Sequence, residues 1–286
     1  MNNKNSTNKS VWNNYKLDIL TLQKANALTD IKFADDYFEI MQNEWLLDKY
    51  IAKLGISNTN YPHETKAEID SAIAGGFAIS LAVQSLKDDT IICYKHKSLG
   101  ELTGLNAYAS NLTYEEIKDL TIKDTNEHIL TLEEALEYIA GRTEVIVEIY
   151  NEAFVGKMES NVEKICDTYS EKYNAIGKLA IMSINPYSLI WFNENAPWYT
   201  RILKAGCFKC FKTYANIKVK KLKKLKYLKD TQADFVAYNA KDLPSKYIKR
   251  KKIVGVLANN VLSQEEYKAV MPYSDNIIFS NFEPEI

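Results

Sequence analysis

The sequence predicts a (β/α)8 barrel carrying an N-terminal helical extension. Three observations carry that prediction. The chain has 286 residues, and a barrel of roughly 250 fits that length as one domain. Eight short β-rich runs recur from residue 50 onward. Helix-period segments lie between most of those runs, and such alternation at this count favours a closed parallel sheet over an open one.

Taken in order, residues 1–13 (MNNKNSTNKSVWN) are polar and Asn-rich, so a disordered tail is expected. Residues 14–48 turn helical, with apolar side chains at Leu17, Leu20, Leu28, Ile31, Phe38 and Met41. The barrel is expected over 49–286. Its strand candidates are YIAKLG (50–55), GFAISLAV (76–83), TIICYK (90–95), EVIVEIY (144–150), KLAIMSI (178–184), DFVAYN (234–239), KIVGVLA (252–258) and NIIFSN (276–281). TIICYK follows GFAISLAV too closely for a crossover helix, so a local hairpin is expected there. Thr65, Thr131 and Ser263 occupy N-cap positions, each with a glutamate three residues on (Glu68, Glu134, Glu266), the capping-box spacing.

Composition narrows the function classes. A net charge of −1 gives no global attraction to nucleic acid or membrane. No apolar run approaches the roughly 20 residues of a spanning helix, and no signal-peptide pattern opens the chain. Cys93, Cys166, Cys207 and Cys210 are too few and too scattered for a disulfide scaffold. A cytoplasmic location is expected.

Barrel chemistry sits at the C-terminal ends of the strands, which singles out Lys53, His63, Ser80, Ala82, Lys95, His96, Glu148 and Tyr150. Ser80 and Ala82 share one face of their strand, as do Glu148 and Tyr150 of theirs, because strand side chains alternate. A hard cation is held by carboxylates gathered from neighbouring strands. Glu148 supplies only one, so no metal site is expected. His63, His96 and His128 are not at a zinc spacing. CFKC (207–210) has the CxxC spacing without a second pair, and free thiols are the expectation.

From Arg201 to Lys229 eleven Lys or Arg occur with no Asp or Glu, and 201–229 reads as a basic insertion. Within it Leu222, Leu225 and Leu228 recur every three residues under a lysine coat. The Lys-rich part, 213–229, suits either a solvated surface or a patch for an anionic membrane surface, an anionic polymer or a protein, which would make the protein membrane-peripheral. Few aromatics interleave the lysines, so nucleic acid is not expected as a partner.

The order of the segments is familiar. Through DKYIAKLG, the run from YPHETKAEIDSAIAGG to YKHKSLGELTG, LTLEEALEYI, EVIVEIY, SINPYSLIWF and DNIIFSNFEPEI, the chain from about 48 to 285 resembles the glycerophosphodiester phosphodiesterase family. That resemblance implies a TIM barrel of the phospholipase-C-like phosphodiesterase type. It also implies a working set read as HRG, PENT, E-x-D, HD and a Glu two residues before a Lys. In such a set two histidines act as acid and base on a phosphodiester, and Mg or Ca, held by the acidic residues, polarises the phosphoryl oxygen.

This chain departs from that set almost everywhere. HRG reads Lys53-Leu54-Gly55, PENT reads Pro62-His63-Glu64-Thr65, E-x-D reads Ser80-Leu81-Ala82, and HD reads Lys95-His96. Glu148 remains, followed by Tyr150 in place of the Lys. The catalytic positions at Lys53, Leu54 and Lys95 are thus degenerate, and metal ligands are lost at Ser80 and Ala82. The expectation is a non-catalytic barrel without cofactor that binds a phosphate-bearing small molecule or a partner, through Lys53, His63, Lys95, His96, Glu148 and Tyr150. A diverged but active phosphodiesterase of glycerol-phosphate and lipid metabolism is the alternative, and a purely partner-binding module is a third reading. Lys53 or Lys95 is further expected to pair with Glu148, since a carboxylate left alone in a barrel mouth is costly.

Overall fold

The computed structural model describes residues 44–53, 65–152, 154–175, 177–206, 219–248 and 255–285. The strands are β1 (Ile51–Lys53), β2 (Ala78–Ser85), β3 (Ile91–Cys93), β4 (Val145–Ile149), β5 (Leu179–Ser183), β6 (Thr200–Ala205), β7 (Phe235–Asn239), β8 (Gly255–Val261) and β9 (Asn276–Phe279). All but β3 run parallel in one ring, which closes where β1 pairs with both β2 and β9. β3 instead folds back antiparallel on the far end of β2, Val83 opposite Cys93. The expected hairpin is therefore present, and TIICYK is not a barrel strand. The eighth barrel strand is β6, TRILKA, whose residues were assigned by charge to the basic insertion.

The described helices are α1 (Trp45–Asp48), α2 (Lys66–Ala74), α3 (Gly100–Thr103), α4 (Tyr114–Ile117), α5 (Leu132–Ile139), α6 (Lys157–Tyr173), α7 (Pro186–Asn195), α8 (Val219–Lys223), α9 (Leu228–Thr231) and α10 (Gln264–Val270). Thr65 Oγ1, Thr131 Oγ1 and Ser263 Oγ each accept the backbone N–H three residues on, satisfying a donor that the helix itself leaves unpaired. The reciprocal bond closes at Thr131, whose N–H donates to Glu134. At the start of α10 Glu266 takes the N–H of Leu262 rather than that of Ser263.

Strand alternation builds two cores. In β4, Val145, Val147 and Ile149 face outward and pack with Leu136 of α5 and Val162 of α6. Ile146 faces inward and joins Ile51, Met182, Ile202, Phe235 and Leu257 in the lower barrel. Gly255 makes room there, since a Cβ on it would stand 2.5 Å from the Phe235 ring. Leu46 of α1 belongs to the same interior cluster and closes the barrel floor. The amide of Asn276 holds that plug by donating to the carbonyls of Leu46 (2.9 Å) and Lys49 (2.7 Å). Trp45 to Asp48 are thus part of the barrel; the rest of the expected extension, and the 1–13 tail, lie outside the described residues.

In the Lys-rich segment Leu222 and Leu225 are fully buried against the barrel. The three-residue leucine period is spent on the protein's own core, while Lys220, Lys221, Lys224, Lys226 and Lys229 remain exposed. Among the described residues no helix is long and apolar enough to cross a membrane. Cys93 and Cys166 are buried free thiols; Cys207 and Cys210 lie outside the described residues.

Candidate active site at the barrel mouth

Above the apolar interior the inward positions turn polar. Lys53 ends β1 and stands in register with Ser80 of β2. Two residues further along β2, Ala82 lies opposite Glu148 of β4. Lys204 follows Ile202 on the inner face of β6, and Asn259 follows Leu257 on that of β8. The register of β8 slips between Asn259 and Val261, where Asn260 adopts a left-handed φ of 61°. Asparagine tolerates that backbone better than most residues. The resulting bulge re-aims a side chain, as bulges near barrel rims do, and brings Asn260 Oδ1 to 3.1 Å from Lys53 Nζ.

The dominant contact is an ion pair between Lys204 Nζ and Glu148 Oε1, with the two side chains only 3% and 2% exposed. Lys204 Nζ also donates to the hydroxyl of Tyr150 (3.2 Å) and lies over its ring. Burial alone would raise the Glu148 carboxyl, but the Lys204 ammonium and then that of Lys53 outweigh it and hold the group below the usual carboxylate range. For Lys204 burial pulls down, and Glu148 followed by Tyr150 pushes the ammonium above the ordinary lysine range. Burial and the Glu148 charge push the Tyr150 hydroxyl up, so it keeps its proton at neutral pH.

Lys53 takes the opposite course. Loss of water around its amine, and next the repulsion of Lys204, bring it down to about 7; Glu148 opposes this and Lys95 adds to it. One carboxylate balances one ammonium, and Lys204 has taken it.

The expected pairing of Lys53 or Lys95 with Glu148 is therefore corrected: the partner is Lys204. β6 is the strand whose inner face carries the ammonium to the carboxylate, whereas Lys53 binds the amide of Asn260 and reaches Glu148 only through its field. Lys95 stands just past β3, the hairpin strand that leaves the barrel wall. His96 is half-buried beside it, its backbone carbonyl accepting from Gln84 (2.7 Å) and its ring edge-on to Tyr94 at 5.8 Å. Leu54 and His63 lie outside the described residues. The structure thus gathers Lys53, Ser80, Ala82, Glu148 and Tyr150 at one mouth, and adds Lys204, Asn259 and Asn260. The signal for Lys204 was present in TRILKA, where period-two alternation sets Lys204 on the same face as Ile202.

The donor set does not suit a divalent cation. Its one carboxylate carries an ammonium, and no second carboxylate stands on Ser80 or Ala82 to outweigh it. Among the described residues no group of three His, Cys, Asp or Glu side chains is placed to hold a metal. What the mouth does offer is unsatisfied polarity. Ser80 Oγ, Glu148 Oε2 and both amide atoms of Asn259 are buried without a hydrogen-bond partner among the described residues. Each such group costs about 1–3 kcal/mol unless something polar meets it.

No curated protein matches the chain in sequence. Solved structures do match in fold. A phosphodiesterase from Oleispira antarctica, in complex with its product sn-glycerol-3-phosphate, superposes with a TM-score of 0.69 at 16% identity, covering 83% of this chain and 94% of that one. The glycerophosphodiester phosphodiesterase of Agrobacterium tumefaciens gives 0.61 at 16% identity, over 82% and 96% of the two chains. That of Thermotoga maritima gives 0.60 at 18% identity, over 80% and 94%. Those likenesses show the fold. The family model described as glycerophosphoryl diester phosphodiesterase matches residues 57–206, spanning β2 to β6 and with them Glu148 and Lys204, and the chain belongs to that family.

Proposed function

We propose that the mouth binds a glycerol phosphate or its diester without hydrolysing it, Lys204 supplying positive charge beside Glu148 where the family's resemblance implies a divalent ion. The observation that carries this reading is the buried Lys204–Glu148 pair inside the barrel. A phosphoryl group would meet two ammoniums against one carboxylate, with Ser80 Oγ and Asn259 Nδ2 as unused donors. Hydrolysis asks for more than attraction. It needs a proton-exchanging pair near neutral pH and a Lewis acid worth several kcal/mol to the transition state. Lys204 is held protonated by its partner, and an ammonium on a carboxylate supplies neither.

The test is calorimetry with sn-glycerol 3-phosphate and a glycerophosphodiester, alongside a turnover assay in Mg2+, Ca2+ or Mn2+. Binding is expected, weakened at least about tenfold in Lys204→Met, which corresponds to about 1.4 kcal/mol. Diester affinity should fall as pH rises through about 7, because the ligand keeps one charge while Lys53 loses its own. Metal-dependent release of glycerol phosphate, abolished by EDTA, would overturn the reading.

A further inference from the structure

Two lysines enter this mouth from different strands, and their surroundings divide them. Lys204 is buried and committed to Glu148. Lys53 is half-buried, and its printed hydrogen bond goes to a neutral amide oxygen, Asn260 Oδ1. The charged and titratable groups facing it are Lys204 from β6, Glu148 and Tyr150 from β4, and Lys95 beyond β3. Ser80, its register neighbour on β2, is uncharged. A protonated Lys53 would be the second ammonium in a site with one carboxylate; a neutral Lys53 leaves the site balanced. A lysine stripped of water beside another cation is the arrangement that turns an amine into a nucleophile toward carbonyl compounds.

We propose that Lys53 is a nucleophilic amine that captures a small aldehyde or ketone in the barrel mouth as an imine. The lone pair of Nζ attacks the carbonyl carbon, and the C=O π pair moves to oxygen. One N–H proton passes to that oxygen and gives a carbinolamine. The hydroxyl then leaves with the second N–H proton as water, and the C=N bond forms. One amine and one carbonyl give one imine and one water, with nothing oxidised or reduced. Tyr150, proton-bearing and 3.2 Å from Lys204 Nζ, is placed to relay the proton between nitrogen and oxygen. Glu148 faces the iminium that forms when the imine takes up a proton. This capture needs no phosphate, so it stands apart from the ligand proposed above.

The position of Lys53 on the pH scale agrees with the geometry, since an amine brought down to about 7 is half neutral at pH 7. A surface lysine at about 10.4 is almost wholly protonated there. The test is brief exposure of the intact protein to glycolaldehyde, a borohydride quench, and peptide mass spectrometry across pH 6 to 10. At pH 7 Lys53 should be labelled at least about tenfold faster than exposed lysines such as Lys226 or Lys229, because its neutral fraction is far larger. Its rate should reach half-maximum near pH 7. In Lys204→Met the freed Glu148 takes Lys53 as its partner, and labelling at pH 7 should drop severalfold while that at pH 10 is kept. A profile with its midpoint near 10, or a Lys53 no faster than the surface lysines, overturns the proposal. The profile of the unaltered protein decides the matter even where the Lys204 variant fails to fold.

Discussion

Glu148→Gln should destabilise the protein by about 3–5 kcal/mol at pH 7, and more than Lys204→Met does. The asymmetry follows from counting charges in a desolvated site. Removing one partner of a buried pair leaves the other charge uncompensated, which is what makes such losses large. Without Glu148 two ammoniums face each other with no carboxylate between them. Without Lys204, Lys53 remains to neutralise Glu148, so the loss is smaller, about 1–3 kcal/mol. The double variant should be more stable than Glu148→Gln alone, because it removes the repulsion as well. In Glu148→Gln the deficit should also shrink as pH rises above neutrality. Both lysines then have folded values below their unfolded ones, and the penalty is fully present at low pH and relieved as they lose protons. Urea denaturation of the three variants at pH 7 and pH 9 measures this. Equal losses for Glu148→Gln and Lys204→Met would contradict the charge count.

Lys53→Met, by contrast, should stabilise the fold, most strongly in acid. Its amine sits near 7 in the folded protein against 10.5 as the ordinary value. Below pH 7 the folded state must carry a charge it disfavours, and the whole penalty is present. Between 7 and 10.5 the unfolded chain holds a proton that the folded chain has released. Stability then rises with pH, by no more than about 1.4 kcal/mol per unit. Methionine has similar length and no charge, so its advantage is expected to be a few kcal/mol at pH 6 and to vanish toward pH 10. The lost hydrogen bond to Asn260 subtracts about 1 kcal/mol throughout. Urea midpoints at pH 6, 8 and 10 are the measurement, and a variant less stable than the parent at pH 6 would refute the assignment. Stabilisation at the expense of anion binding would be the familiar signature of a site kept for use rather than for folding.

The barrel was legible because its signals are local and repeated. Alternating apolar runs such as EVIVEIY and cap residues such as Thr131 and Ser263 act within a few positions, and each formed the structure its chemistry dictates. The hairpin between β2 and β3 followed from chain length alone. The strand β6 was hidden for a physical reason. TRILKA carries Arg201 and Lys204 at the head of a long basic run, and charge is ordinarily a mark of the surface. Arg201 escapes that rule by placing its guanidinium on the carbonyls of Pro197, Tyr199 and Gln232. Lys204 escapes it by finding Glu148, 56 positions away in the chain. Such a pairing depends on which strands become neighbours across the barrel, and no local pattern encodes that. The Asn260 bulge was hidden likewise, since a register slip in β8 is visible only once β9 lies beside it.

A mouth whose positive charge is a side chain differs from one that borrows a dissolved ion in its dependence on supply. Lys204 is delivered to Glu148 with every folded copy, at a fixed one-to-one ratio that no chelator or competing ion can alter. The melting temperature should accordingly be the same in EDTA and in millimolar magnesium or calcium, read by calorimetry on one preparation; a rise of several degrees with either ion would mean that the mouth still recruits one. Scarcity of divalent ions, which would empty a metal-charged relative, would leave this barrel's electrostatics as they are.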